Sequence, residues 1–277
     1  TGGGIDAAGL QTQAGAGTLI TAVGGGVALS GGSSIEAAGD VNISSEGTLD
    51  LANATVQSTA GKVELNGLAG VVAKDATLLA AEAVTVTANE NVEVSNSTVE
   101  AASLAITAAK SLTGTELKSK ITGAAAFTAG ENLVLDSADL SGGTVSAVAA
   151  QGLSALGAAI NATEGTLTLT AEAADIDASS ATLTAKDEVK LTANQSITAE
   201  DASVEAASLA MTANTGSVKA SGFTATVADK ASVEADDSVT LDGSKIGAGA
   251  LTATAKTGDL SVKEADIKAT TGGITLT

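Results

Sequence analysis

Proline, cysteine, histidine, arginine, tryptophan and tyrosine are all missing from this sequence. Each absence removes a class of chemistry. Without cysteine there is no disulfide, no thiolate nucleophile and no Cys-based metal site. Without histidine no Ser nucleophile has an imidazole base. Without arginine, tryptophan and tyrosine, a carbohydrate-processing cleft lacks both its usual clamp for acidic sugars and its ring-stacking platforms. Aromatics make up 1% of residues, Phe127 and Phe223 being the only two. Any core must be filled by Ala, Val, Leu and Ile, and must be narrow, because small side chains cannot fill the gap between thick packed layers.

Positive charge is also scarce. Thirteen lysines face 32 carboxylates, for a net charge of −19. This balance repels nucleic acid and anionic lipid, so neither is an expected partner. No run of about 18 apolar residues is long enough to span a membrane as a helix, so no membrane insertion is expected in this stretch. No basic-then-apolar leader opens the chain, which leads to the expectation that it follows any secretion signal or is a piece of something longer.

What is abundant is repetition. The stretch "VTVTANENVEVSNSTVE" (84–100) alternates apolar and polar residues as three short strands in succession, and the pattern recurs along the chain. Taking Val84 as a mark, equivalent residues are Leu19, Val41, Val63, Leu104, Ala125, Val145, Leu167, Val189, Leu209, Ala231, Leu251 and Ile274. The mean step is about 21 residues, which is the signature of a repeat architecture. A second aliphatic mark follows eight or nine residues later at Val27, Leu49, Val71 or Val72, Val92, Leu112, Leu133, Leu153, Ile176, Ile197, Val218, Val239 and Leu260. A third falls at Ile35, Val56, Leu78, Val99, Leu140, Ile160, Leu183, Val204, Ile246 and Ile267. It blurs in two units, one holding Leu117 and Ile121, the other Phe223 and Val227.

Three period-two strands per unit cannot lie in a flat meander without exposing half of these marks. If the chain coils so that each strand stacks on its equivalent in the next unit, all three rows point into one interior. The expected fold is therefore all-β: a parallel β-helix of three sheets, about 21 residues per coil and 12–13 coils, with the right-handed crossover that parallel strands favour. Residues 1–277 then form a single repeat array. Gly, Asn, Asp and Ser in "ANEN", "SNS", "TAGEN" and "ANTG" supply the corners. A coil burying about six side chains at roughly 1.5–3 kcal/mol each does not offset the ordering of about 21 backbones at about 1–2 kcal/mol apiece. Stability must come from neighbouring coils. A helical array is the weaker competitor, favoured only around the Ala-rich "SLAITAAKSLTGTELKSKI".

The segment "GTLTLTAEAADIDASSATLTAKDEVKLTANQSITAEDASVEAA" (165–207) resembles the haemagglutinin-type repeats of filamentous haemagglutinin-like exoproteins. These are the adhesins and contact-dependent growth inhibition proteins of bacterial two-partner secretion. The resemblance runs over nearly the whole chain and rests on a G-x-L-x-L-x-A strand followed by I-x-A and A-x-L-x-A. It implies a secreted, cell-surface shaft that holds a binding or effector module away from the cell; the missing residue types above lead separately to the expectation of no catalysis and no cofactor. Two features depart from the family: the absence of proline leaves no N-terminal secretion domain of the Asn-Pro type, and nothing resembles a C-terminal toxin. Because both ends stop within the pattern, a segment of a longer chain or an end-to-end stacking subunit is expected. A self-assembling filament and a receptor- or glycan-binding face are the alternatives, with a surface receptor or a second copy as partner.

Candidate sites are few. The acidic pairs Asp236–Asp237, Asp175 with Asp177, Asp187–Glu188 and Glu200–Asp201 could offer oxygens to calcium, but the G-G-x-G-x-D calcium repeat does not occur. They read as solvated corners, so no metal ligand is assigned. Thr87, Thr107, Thr128, Thr170, Thr192, Thr212, Thr254 and Thr277 occupy one outward position three residues after the first mark. Such a ladder can order water as ice-binding solenoids do, but the adjacent column holds Thr only at Thr85, Thr168, Thr252 and Thr275. Threonine is also simply a good strand residue. The two phenylalanines are expected to fill widened cross-sections.

Overall fold

The structure, a computed structural model, describes residues 3–277. Its strands form three parallel sheets of thirteen strands each, and each sheet takes every third strand of the chain. This is a β-solenoid of three strands per coil. We call the sheets A, B and C in the order in which the chain visits them. The first coil contributes Ile5–Asp6 to A, Gln11–Ala14 to B and Thr18–Ala22 to C. The chain divides into two compact units, Thr1–Val134 with Asp139–Gly142, and Leu135–Ala138 with Gly143–Thr277.

In the first unit, Val41, Val63, Val84, Leu104 and Ala125 follow one another in register on sheet C. In the second unit Val145, Leu167, Val189, Leu209, Ala231, Leu251 and Ile274 do the same. On sheet A the second row runs through Val27, Leu49, Val71, Val92, Leu112 and Leu133, and then, in the second unit, from Leu153 through Ile176 and Ile197 to Leu260. Val71 is thus the inward member of the Val71–Val72 pair. On sheet B, Ile35, Val56, Leu78 and Val99 align in the first unit, and Ile160, Leu183 and Val204 in the second. Of the row residues, Val41, Val63, Val84, Leu104, Leu167, Val189, Leu209, Leu251, Leu49, Val92, Leu133, Ile197, Val56, Val99, Leu183 and Val204 are all buried.

One expected mark is overturned. Thr18, not Leu19, pairs with Val41, and Leu19 points outward with 75% of its surface exposed. The cause is a missing residue: "GTLITA" (17–22) is one residue shorter than "GTLTLTA" (165–171). The strand keeps Ile20 and Ala22 opposite Ile43 and Ser45, and a one-residue slip turns Leu19 to the other face.

A coil points eight positions inward: two from A, three from B and three from C, as in Val92 and Val94, Ser97, Val99 and Ala101, Leu104, Ile106 and Ala108. On sheet B the usual trio is small, large, small, such as Ala181–Leu183–Ala185. The two blurred units invert it. Ser119 pairs with Val99, and Ala225 pairs with Val204, so the third-row positions hold small residues. Their flanks are large, giving Leu117–Ser119–Ile121 and Phe223–Ala225–Val227, all buried. The bulk moves from the middle of the trio to its flanks, where the larger side chains fill the room that the small middle residue leaves. Phe127 repeats the device on sheet C between Ala125 and Ala129. Both phenylalanines are fully enclosed, so neither presents a ring to a partner.

The corner between sheets A and B is a tight turn with a left-handed residue. Asn53 (φ 59°), Asp75, Asn96, Glu116, Ser137, Ser180, Asp201 and Glu264 take this place, and Gly9, Gly157, Gly222 and Gly243 take it in other coils. The turn is closed by bonds such as Ala54 N–H to Leu51 C=O at 2.9 Å. Asn and Gly suit the left-handed region; Glu and Ser hold it because the coils on either side fix the backbone.

Candidate functional site

The side chains at the corners do structural work before any other. Along the corner between sheets C and A in the second unit, Asp175 Oδ1 accepts the N–H of Ser196 at 2.7 Å. Ser196 Oγ accepts from Ser217 N–H at 3.2 Å, Ser217 Oγ from Ser238 N–H at 3.3 Å, and Ser238 Oγ from Asp259 N–H at 3.1 Å. Each oxygen caps the next coil's backbone. Asp136 and Asp242 repeat another device in two separate coils. Asp136 Oδ1 accepts from Ser154 Oγ–H at 2.5 Å and Leu156 N–H at 3.0 Å. Asp242 Oδ1 accepts from Ser261 Oγ–H at 2.6 Å and Lys263 N–H at 2.7 Å. The Ser261 hydroxyl, then the Lys263 amide, hold the Asp242 carboxyl below its ordinary range.

The acidic pairs divide among such roles. Asp177 accepts its own turn's Ser179 N–H at 3.0 Å. Asp237 accepts from the Ser217 hydroxyl at 3.1 Å. Glu200 pairs with Lys219 at 2.8 Å, and Asp201 stands at a left-handed corner. Among the described residues no group of three potential metal-ligating side chains occurs. The other lysine pairs lie at the surface too: Lys268–Asp266 at 2.9 Å, and Lys62–Glu64 at 2.5 Å, Lys74–Glu93 at 3.0 Å and Lys110–Glu90, with the ammonium groups of these last three raised in pKa chiefly by the hydrogen bond to the glutamate.

The threonine ladder lies outward on sheet C in two runs. Thr87, Thr107 and Thr128 are stacked in the first unit. Thr170, Thr192 and Thr212 are stacked in the second, where Glu234 then interrupts before Thr254 and Thr277, whose hydroxyls meet at 3.1 Å. The neighbouring column gives no continuous ladder: Thr85 stands between Glu64 and Ala105 and Thr168 beside Lys190, while Thr252 and Thr275 stack as a single pair beside Thr254 and Thr277. Sheet B carries a threonine run that the row-by-row reading passed over, Thr55, Thr77 and Thr98.

The most distinctive feature lies at the corner between sheets B and C. Number the coils by their A strands, so that coil 3 begins at Leu49 and coil 8 at Leu153. The residues separating the last inward B position from the first inward C position then number four, three, two, three and two in coils 3–7, from Ser58–Val63 to Gly142–Val145. The same series recurs in coils 8–12, from Ala162–Leu167 to Ala248–Leu251. A second period of five coils therefore overlies the first. It also carries the inverted B trios, in coils 6 and 11, and the Asp136 and Asp242 caps, in coils 7 and 12. Its clearest trace in the sequence is "TVEAASLAITA" (98–108) against "SVEAASLAMTA" (203–213), identical at nine of eleven positions.

These recurrent segments form the short corners of coils 5 and 10. Each lies under an open groove, and a third groove of about 370 Å³ lies over the three-residue corner of coil 2 at Ala37 and Ala38. The first is a groove of about 460 Å³ over Ala101 and Ala102, walled by Gln57, Thr59, Leu79, Glu100, Lys120 and Thr122. The second, about 610 Å³, lies over Ala206 and Ala207, walled by Asn161, Thr163, Thr184, Lys186, Glu205 and Thr226. The backbone ladder fails at the same place in both. At longer corners the N–H reaches the preceding coil, as Ala81 N–H does to Ser58 C=O at 3.1 Å and Lys186 N–H to Ala162 C=O at 3.0 Å. The equivalent rungs from Ala102 N–H to Ala80 C=O and from Ala207 N–H to Ala185 C=O are not made; strand pairing stops there at Leu79–Glu100 and Thr184–Glu205, as it does at the other two-residue corners, at Lys120–Ser141 and Thr226–Gly247.

No family model, curated protein or solved structure matches the chain.

Proposed function

We propose that this chain is the non-catalytic structural shaft of a secreted bacterial cell-surface exoprotein of the adhesin type, holding a binding or effector module away from the cell. The observation that carries this reading is the uniform in-register stacking within each unit, where every coil takes its strand hydrogen bonds and the sealing of its inward rows from the coils beside it. Coils can then be added with no cross-link or metal, and the net charge of −19 keeps neighbouring copies apart. The carboxylates support the same role, since several serve as backbone caps and ion-pair partners.

The test is to place the chain as a spacer between a membrane anchor and a fluorescent tag on a cell and to measure the height of the tag. Removing coils 9–11 (176–238) should lower the tag by roughly 14 Å at about 4.8 Å per coil. An unchanged height, with the shortened chain still folded by circular dichroism, would refute a spacer role.

A further inference from the structure

We draw no further inference here: the strongest candidate, the outward face of sheet C over coils 4–6, where Thr85, Thr87, Ala105, Thr107, Ala126 and Thr128 present no charge, is a stripe of small residues and nothing in the structure shows what covers it.

Discussion

The inverted trio of coil 11 makes a quantitative prediction. Phe223 is enclosed between the small residues of the adjoining coils, Ala202 and Ser244, while Ala225 beside it leaves the room that the ring occupies. Phe223→Ala alone should cost about 3–5 kcal/mol through lost burial and a residual cavity. Ala225→Ile alone should cost about 1–3 kcal/mol, since the enlarged side chain meets the ring. The double variant moves the large side chain to the middle of the trio, as in Ala181–Leu183–Ala185, with Val227 kept at the third place. Its total cost should fall to about 1–2 kcal/mol, well below the sum of the singles, for a coupling of at least about 2 kcal/mol. Urea unfolding followed by circular dichroism, together with native-state hydrogen exchange of the coil 11 amides, reads all four corners of the cycle. Additive costs would show that the trio does not share one volume and would refute the account of these two units.

Three further outcomes are expected. Ser119 Oγ is buried with no hydrogen-bond partner, so Ser119→Ala should raise stability by about 1 kcal/mol in the same urea assay; a loss would mean that the hydroxyl is satisfied. Glu116 holds φ 55° at the corner between sheets A and B, and Glu116→Gly should relieve roughly 0.5–1 kcal/mol of left-handed strain net of glycine's entropy, whereas Glu116→Val should lower the melting temperature. Asp242 has a folded pKa below its unfolded value, so its contribution is complete above the ordinary carboxylate range near pH 4 and disappears as pH falls through the lower folded value. The melting-temperature gap between the parent and Asp242→Asn should therefore be present at pH 6 and close toward pH 2, and a pH-independent gap would refute the assignment.

The repeat was legible because burial selects apolar residues at fixed intervals, and intervals survive substitution. The three rows around Val84, Val92 and Val99 needed only counting. Leu19 misled because a count from the left matches "GTLITA" to "GTLTLTA" at the glycine, whereas the strand is anchored from the right, where Ile20 and Ala22 meet Ile43 and Ser45. The blurred units were illegible for a different reason: Ser119 and Ala225 do not look like core residues, and the bulk of their trios sits at the flanks, in Leu117, Ile121, Phe223 and Val227. The grooves over coils 5 and 10 were invisible to a search for apolar marks because they lie over corners. Their signal was in the chain all the same, in the near identity of 98–108 and 203–213.

The inverted trios also bear on how such a chain changes length. A turn whose filling is Leu117–Ser119–Ile121 meets its neighbours through the same backbone register as one filled by Ala, Val and Ala. Whole turns are therefore interchangeable parts with a common gauge. A gene encoding them can gain or lose material in multiples of one turn, or of five, without the remaining residues having to adapt, while an insertion of a few codons inside a strand would throw every later side chain out of phase.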